Sequence, residues 1–390
     1  MSARPRALPV RRYATGRGAR LGFALLLVGL AAFVMVAGCV SSRTDAPGNT
    51  RAAATRVVDG GPVRALGEVY ERHFAIGAAV QPGTLITHDA LLVRHMNSLT
   101  PENHLKLHMV RPHPGVISWT GADAIVDYAG EHGMRVRGHA LVWHEAAPEW
   151  FFHEADGSEA SREVVRDRLR EHILETVGRY RGRIHAWDVV NEAVADSAGE
   201  GLLRPTRWLE ALGPEYIALA FRAAHEADPG ALLFYNDYSL VEPRKRDRTL
   251  RLLRELIAEG VPVHGVGLQG HWTLTWPPVR LIGEAIRAFA DLGLRVEITE
   301  LDISFYDWND HEARFDAFTA EMDRALALRY DEIFSVLRDH ADLIDAVTFW
   351  GAADDVSWLN YTPVPGRPNY PLLFDRRHQP KAAYFRVTDF

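Results

Sequence analysis

Gly293-Leu294-Arg295-Val296-Glu297-Ile298-Thr299-Glu300 is the stretch on which the fold turns. An amphipathic segment ends just before it. Gly293 then supplies the left-handed residue that a helix needs at its C-terminal end, and a short apolar run follows that closes on a carboxylate. The junction recurs upstream: Gly133 precedes Met134-Arg135-Val136, Gly230 precedes Ala231-Leu232-Leu233-Phe234, and Gly260 precedes Val261-Pro262-Val263. That is the beat of repeated helix-then-strand units. Between junctions the helical spacing is explicit. Val165, Leu169, Ile173 and Val177 follow one another at steps of four behind Ser161, a good N-cap, so this face is expected to pack on a sheet.

Read outward from these units, strands are expected at 76–80, 96–99, 135–138, 184–190, 232–235, 265–268, 294–299 and 345–349. Eight strands alternating with helices predict an α/β fold, a (β/α)8 TIM barrel forming a single catalytic domain over 62–390. An open doubly wound sheet is the rival, but no Gly-rich turn of the dinucleotide type follows the first strand. The residues just past the strands are almost all polar: Glu102 and Asn103, His139, Asn191 and Glu192, Asn236 and Asp237, Gln269 and His271, Glu300, then Trp350. In a barrel these positions converge on the C-terminal rim, where the βα loops build active sites. Strands four and seven would each deliver a glutamate there. Hydrolysis of a glycosidic bond needs one carboxyl protonated, to release the leaving sugar, and another ionised, to attack or stabilise the oxocarbenium-like centre. A single glutamate at a strand end is most simply a solvated loop residue. Two of them, with Asn191 beside one and Gln269 and His271 one strand before the other, fit a glycosidase better.

The N-terminus is different in kind. The first 38 residues carry six arginines and no acid, and losing them takes the net charge from −7 to −13. So acidic a remainder, without a basic run, argues against a nucleic-acid partner and favours a neutral or hydrophobic substrate. An uncharged stretch at 21–36 behind the arginines has the layout of a secretory signal, and it predicts export. The run extends far enough to serve as an uncleaved membrane anchor instead. Val36-Ala37-Gly38-Cys39 resembles a bacterial lipobox, in which the cysteine is lipidated and becomes the mature N-terminus. The expected division is thus a lipoprotein-type signal peptide at 1–38, a flexible tether at 39–61 rich in Ser, Thr, Ala, Gly and Pro, and the barrel at 62–390. A soluble secreted form stays open. Cys39 is the only cysteine, so no intramolecular disulfide can form.

Taken in order, Asn97-Ser98-Leu99-Thr100-Pro101-Glu102-Asn103 with Lys106, Arg137-Gly138-His139-Ala140-Leu141-Val142-Trp143-His144, Trp187-Asp188-Val189-Val190-Asn191-Glu192, Asn236-Asp237-Tyr238, Gly267-Leu268-Gln269-Gly270-His271, Thr299-Glu300-Leu301-Asp302, Thr348-Phe349-Trp350-Gly351 and Pro371-Leu372-Leu373-Phe374-Asp375 make a specific series. From about Phe74 to Tyr384 the chain resembles glycoside hydrolase family 10, the endo-1,4-β-xylanases once lettered F. The resemblance implies a retaining enzyme acting on xylan and xylo-oligosaccharides as a monomer and without a cofactor. Glu192 would be its general acid/base and Glu300 its nucleophile, supported by Asn191 at the sugar 2-hydroxyl and by His271, which Asp302 would orient. It further implies sugar contacts from Glu102, Asn103, Lys106, His139 and Asn236, with Tyr238 and Gln269 nearer the cleavage point. Trp143, Trp350 and Trp358 would supply stacking faces, the last two crowding the place where a hexose hydroxymethyl would project. Ala146 stands where a distal Gln is common, and Ser239 where Asn is commoner.

Other classes fare worse. His104 and His108 stand at helical i, i+4 spacing but lack the glutamate of a zinc hydrolase motif, so no metal is expected. A sugar-binding lipoprotein without turnover would have no use for both glutamates. A related β-1,4-glycanase of mixed xylan and cellulose specificity is the nearer alternative.

Overall fold

A computed structural model describes residues 63–197, 199 and 201–390. The segments expected to be a signal peptide at 1–38 and a tether at 39–61, with the expected lipidation site Cys39, lie outside the described residues.

Eight parallel strands close on themselves. They are β1 (Ala75–Val80), β2 (Ser98–Pro101), β3 (Arg135–Gly138), β4 (Ala186–Asn191), β5 (Leu232–Asp237), β6 (Gly265–Leu268), β7 (Arg295–Ser304) and β8 (Ile344–Phe349). Each pairs with its sequence neighbours, and β8 pairs with both β7 and β1, with Gly77 opposite Thr348 at the seam. This is the (β/α)8 barrel that the sequence predicts. Two short strands extend the rim: Val142–Trp143 beside β4, and His271–Thr273 beside β7.

The helices pack as their spacing demands. Helix Arg162–Arg179 begins where the Ser161 hydroxyl accepts from the Val164 N–H at 3.4 Å, and its Val165, Leu169, Ile173 and Val177 are all fully buried. Gly133, Gly260 and Gly293 take positive φ at the helix-to-strand junctions. Gly230 does not. There the Asp228 carboxylate does the capping, accepting from the N–H groups of Gly230 and Gly182 at 3.0 and 2.9 Å, so no left-handed residue is needed.

Strand ends moved where pairing outweighed local pattern. The second strand starts at Ser98, two residues late, because the Asn97 side chain takes up the Ile76 N–H at 2.7 Å. The seventh runs on through Glu300 to Ser304, held by the carbonyl of Gln269 and by the short strand at His271–Thr273. A larger departure concerns facing. Side chains alternate along a strand, so residues three apart should point to opposite sides. Glu297 and Glu300 nevertheless both turn into the barrel, because β7 carries an extra residue against β8 between Ile298 and Leu301. β4 does the same against β5 between Asp188 and Val190, which lets Asp188 and Asn191 share the interior. Both strands that carry the candidate catalytic groups use the same bulge.

Candidate active site

Below the mouth of the barrel the bulges leave a buried charged layer. Arg137 donates through Nε to Asp188 Oδ2 at 3.2 Å, and its two terminal nitrogens reach Asp188 Oδ1 and Glu297 Oε2. All three side chains are essentially inaccessible. His139 Nδ1 joins them, 2.9 Å from Asp188 Oδ2 and 3.9 Å from Glu300 Oε1. Expected to touch sugar directly, His139 is 2% exposed and sits between this layer and the carboxylate above it.

Glu300 rises from that floor. Its Oε1 accepts from Asn236 Nδ2 at 2.7 Å and its Oε2 from His271 Nε2 at 3.1 Å. Burial on its own would raise this carboxyl, but the electrostatic influence of His139, the hydrogen bond and charge of His271 and the Asn236 amide together pull it down to about 2. His271 is gripped on the other side by Asp302 Oδ2, 3.0 Å from Nδ1. Burial opposes a charged ring there. The Asp302 charge and the bonds to both carboxylates overcome it and hold the imidazolium up to about 10, so His271 donates from both nitrogens. Trp358 Nε1 donates to the same Asp302 oxygen at 2.8 Å, and its ring centre lies 4.9 Å from that of His271.

Glu192 stands in a different setting, just past β4 with a positive φ of 58°. Burial is the main cause that raises its carboxyl to about 7, and the charge on Asp237 adds to it. Three donors work the other way: Gln269 Nε2 at 2.8 Å and Asn191 Nδ2 at 3.2 Å on Oε1, and Trp143 Nε1 at 2.9 Å on Oε2. One amide relay joins the two glutamates. Asn236 Nδ2 donates both to Glu300 Oε1 and, at 2.8 Å, to Asn191 Oδ1, while Asn191 Nδ2 donates to Glu192. Thr299 Oγ1 donates to Asn236 Oδ1 at 2.7 Å and fixes which way the amide points. A Cβ on Gly267 would lie 2.1 Å from that Oδ1, so only glycine fits beneath it.

Asn236 is thereby corrected. It was expected as a sugar contact, yet it is fully buried and its polar atoms are spent on Asn191, Glu300 and Thr299, so it positions those groups instead. Trp143 presents its N–H to Glu192 and one ring face to the Lys106 ammonium, 4.8 Å from the ring centre. Lys106 is buried, its ammonium destabilised by that burial and sustained by Glu300, Glu102 and Glu192, and it donates to Asn103 Oδ1 at 3.0 Å. Glu102 accepts from Gln81 at the same rim. Trp350 is nearly buried, edge-on to His139 at 5.2 Å. The Tyr238 hydroxyl is held between Arg204 and Asp196, 2.6 Å from each. At the departure noted in the sequence, Ala146 is buried and offers a sugar no polar atom.

Arg137, Asp188 and Glu297 went unread in the sequence as parts of the site, although charged residues inside apolar strand runs were a usable signal. Asp196, Arg204 and Lys245, which hold Asp237 and Tyr238, had none. Trp308, 55% exposed and 5.8 Å from the Trp358 ring, could have been found by the criterion that found Trp358, a tryptophan in a rim loop.

A closed parallel barrel whose C-terminal mouth holds two carboxyls of unlike protonation, ringed by aromatic and polar side chains, is the architecture of a glycoside hydrolase. The chain belongs to glycosyl hydrolase family 10, whose family model matches residues 65–390. It is 44% identical over 328 residues to a β-1,4-xylanase of Dictyoglomus thermophilum, covering 84% of this chain and 91% of that one. It is 45% identical to an endo-1,4-β-xylanase of Geobacillus stearothermophilus, with 84% and 98% covered. Among solved structures, a xylanase of Paenibacillus barcinonensis in complex with a conduramine derivative superposes with a TM-score of 0.82 at 43% identity, covering 84% of this chain and 99% of that one. No helix among the described residues is long and apolar enough to cross a membrane.

Proposed function

We propose that this chain hydrolyses internal β-1,4-xylosidic linkages in xylan and xylo-oligosaccharides with retention of configuration, Glu300 acting as nucleophile and Glu192 as acid/base. The opposite protonation of the two carboxyls within one hydrogen-bonded relay carries this reading: Glu300 is held at about 2 and Glu192 at about 7. Near neutral pH one is an anion and the other still holds a proton, which the first half-reaction requires. In that step Glu300 attacks the anomeric carbon while the Glu192 proton passes to the departing glycosidic oxygen. A glycosyl ester and a free sugar hydroxyl result. Glu192, now ionised, then takes a proton from water, the oxygen of that water attacks the anomeric carbon, and the Glu300 carboxylate leaves. The three donors around Glu192 stabilise it in its ionised turn, and burial favours its taking the proton back from the attacking water.

Asn191 has one N–H left after serving Glu192, available to the sugar 2-hydroxyl, where a contact strengthens in the transition state. Trp350 and Trp358 flank His271 at 6.3 and 4.9 Å between ring centres, and walls of that bulk suit a pentose better than a hexose. We further propose that 1–38 act as a lipoprotein signal and 39–61 as a tether, with Cys39 carrying the lipid and 62–390 forming the exported catalytic domain, as a monomer.

Digestion of glucuronoxylan, arabinoxylan and carboxymethyl cellulose, with product sizing and proton NMR of the first-formed anomer, tests the reading. Xylo-oligosaccharides released initially as β-anomers, with little attack on the cellulose derivative, are expected. Initial α-anomers would mean inversion. Absence of xylan cleavage would remove the proposed substrate.

A further inference from the structure

Away from the two glutamates, three side chains from distant parts of the chain meet at the seam where β1 and β8 close the barrel. His88 follows the helix Pro82–Thr87 behind β1, Asp355 lies in the turn Asp354–Val356 behind β8, and His378 sits in the turn before the last helix, Ala382–Thr388. His88 Nε2 lies 3.2 Å from Asp355 Oδ1 and His378 Nε2 lies 3.5 Å from Asp355 Oδ2. The two imidazole rings lie side by side, their centres 3.9 Å apart. One ligand atom from each residue falls within 4.8 Å of the others, and this is the only such trio among the described residues.

We propose that His88, Asp355 and His378 form a binding site for a divalent transition metal of the zinc type, which clips the first and last βα segments of the barrel together. The ligand chemistry selects the metal. Two imidazoles and one carboxylate suit zinc, nickel or copper, whereas calcium and magnesium take oxygen ligands almost exclusively. In a tetrahedral zinc site with bonds of about 2.0–2.1 Å, ligand atoms stand about 3.3 Å apart. The two nitrogen-to-carboxylate distances, one to Oδ1 and one to Oδ2 of Asp355, lie close to that spacing, and small side-chain rotations would bring both nitrogens onto an ion held by either oxygen or by both.

The surroundings of His88 point the same way. The Thr87 hydroxyl is 2.8 Å from His88 Nδ1 and 3.1 Å from the Gly83 carbonyl. When that hydroxyl donates to Gly83 it can accept a hydrogen bond from Nδ1–H, and Nε2 then presents its lone pair to the Asp355 carboxylate. Two electron-rich atoms at that separation call for a cation between them. An outer hydrogen bond that fixes the far nitrogen is how metal-bound histidines are oriented. If Thr87 instead donates to Nδ1, Nε2–H donates to Asp355 and no metal is needed, so the trio has one arrangement with an ion and one without.

His378 is placed from the opposite side. It has a φ of 61°, uncommon outside glycine, in a turn where Asp375 Oδ1 accepts from the N–H groups of Arg377 and Gln379 at 2.8 Å each. The side chains of His378 and Asp355 are 31% and 33% exposed, so an ion can enter from solvent and keep water in a fourth position. Asp355 lies three residues before Trp358, which bonds Asp302 at the active site, so the clip would steady the segment that carries this ring.

The test uses the full chain, stripped with chelator and titrated with zinc chloride by calorimetry, followed by thermal unfolding with and without the metal. His378→Asn, which tolerates a positive φ, and Asp355→Asn are run beside it, with calcium chloride as the control ion. One zinc per chain is expected, with a rise in Tm of about 3 °C or more at saturating metal. Both effects should be lost in either variant and absent with calcium. No saturable binding, an unchanged Tm, or equal zinc binding in both variants would overturn the site and leave the trio as an ordinary hydrogen-bonded cluster.

Discussion

The surroundings of Glu192 and of Glu300 are two ways of burying the same side chain, and they give opposite acids. Glu300 is met by the electrostatic influence of His139, by a doubly donating His271 imidazolium and by a fixed amide, so burial is overruled and the carboxylate persists. Glu192 is met by neutral donors and, behind them, by the anion of Asp237, so burial prevails. Two carboxyls buried alike take opposite protonation because the charges placed around them differ.

The largest loss is expected at Glu300. Glu300→Ala is expected to lower kcat by about 10^4-fold or more on every substrate, because it removes the group proposed to form the glycosyl bond. Steady-state rates on xylan and on aryl xylobiosides check this, and substantial activity on either would dismiss Glu300 as nucleophile. Glu192→Ala should be selective instead. Xylan turnover is expected to fall by about 10^2–10^4-fold, while glycosides with activated aryl leaving groups still form the intermediate and are rescued by azide. Equal loss on both substrate types would contradict the division of roles.

A subtler change sharpens the contrast. With Glu300 at about 2 and Glu192 at about 7, kcat/KM on a neutral substrate should rise as the first ionises and fall as the second loses its proton. The Trp143 N–H favours the ionised form of Glu192, so Trp143→Phe should move the alkaline limb upward and leave the acid limb in place. Movement of the acid limb would mean that Trp143 acts on Glu300.

Much of this was legible in the chain. Helix-Gly-strand junctions announced a barrel because a helix end, a left-handed residue and an apolar run are local demands that local sequence satisfies. The Gly230 junction misled because an aspartate two residues earlier could supply the cap instead. Both glutamates were legible too, as acids at the ends of strands, and so was His271 as the partner of Glu300. Asn236 was misjudged for the opposite reason. Its residue type suits a sugar contact, and only its neighbours reveal that every polar atom is already engaged. His88, Asp355 and His378 lie on three segments that only closure of the barrel brings together, so no local spacing joins them.

By itself the sequence determined the order and kind of the elements, the two acids and their family, because spacing and residue type are properties of a single strand or helix. Tertiary structure alone decided that Glu297 and Glu300, three residues apart, share one side of β7, and that Asp188 and Asn191 do so on β4. A bulge exists only relative to the neighbouring strand, so no single segment can encode which way its side chains will face once the barrel has closed.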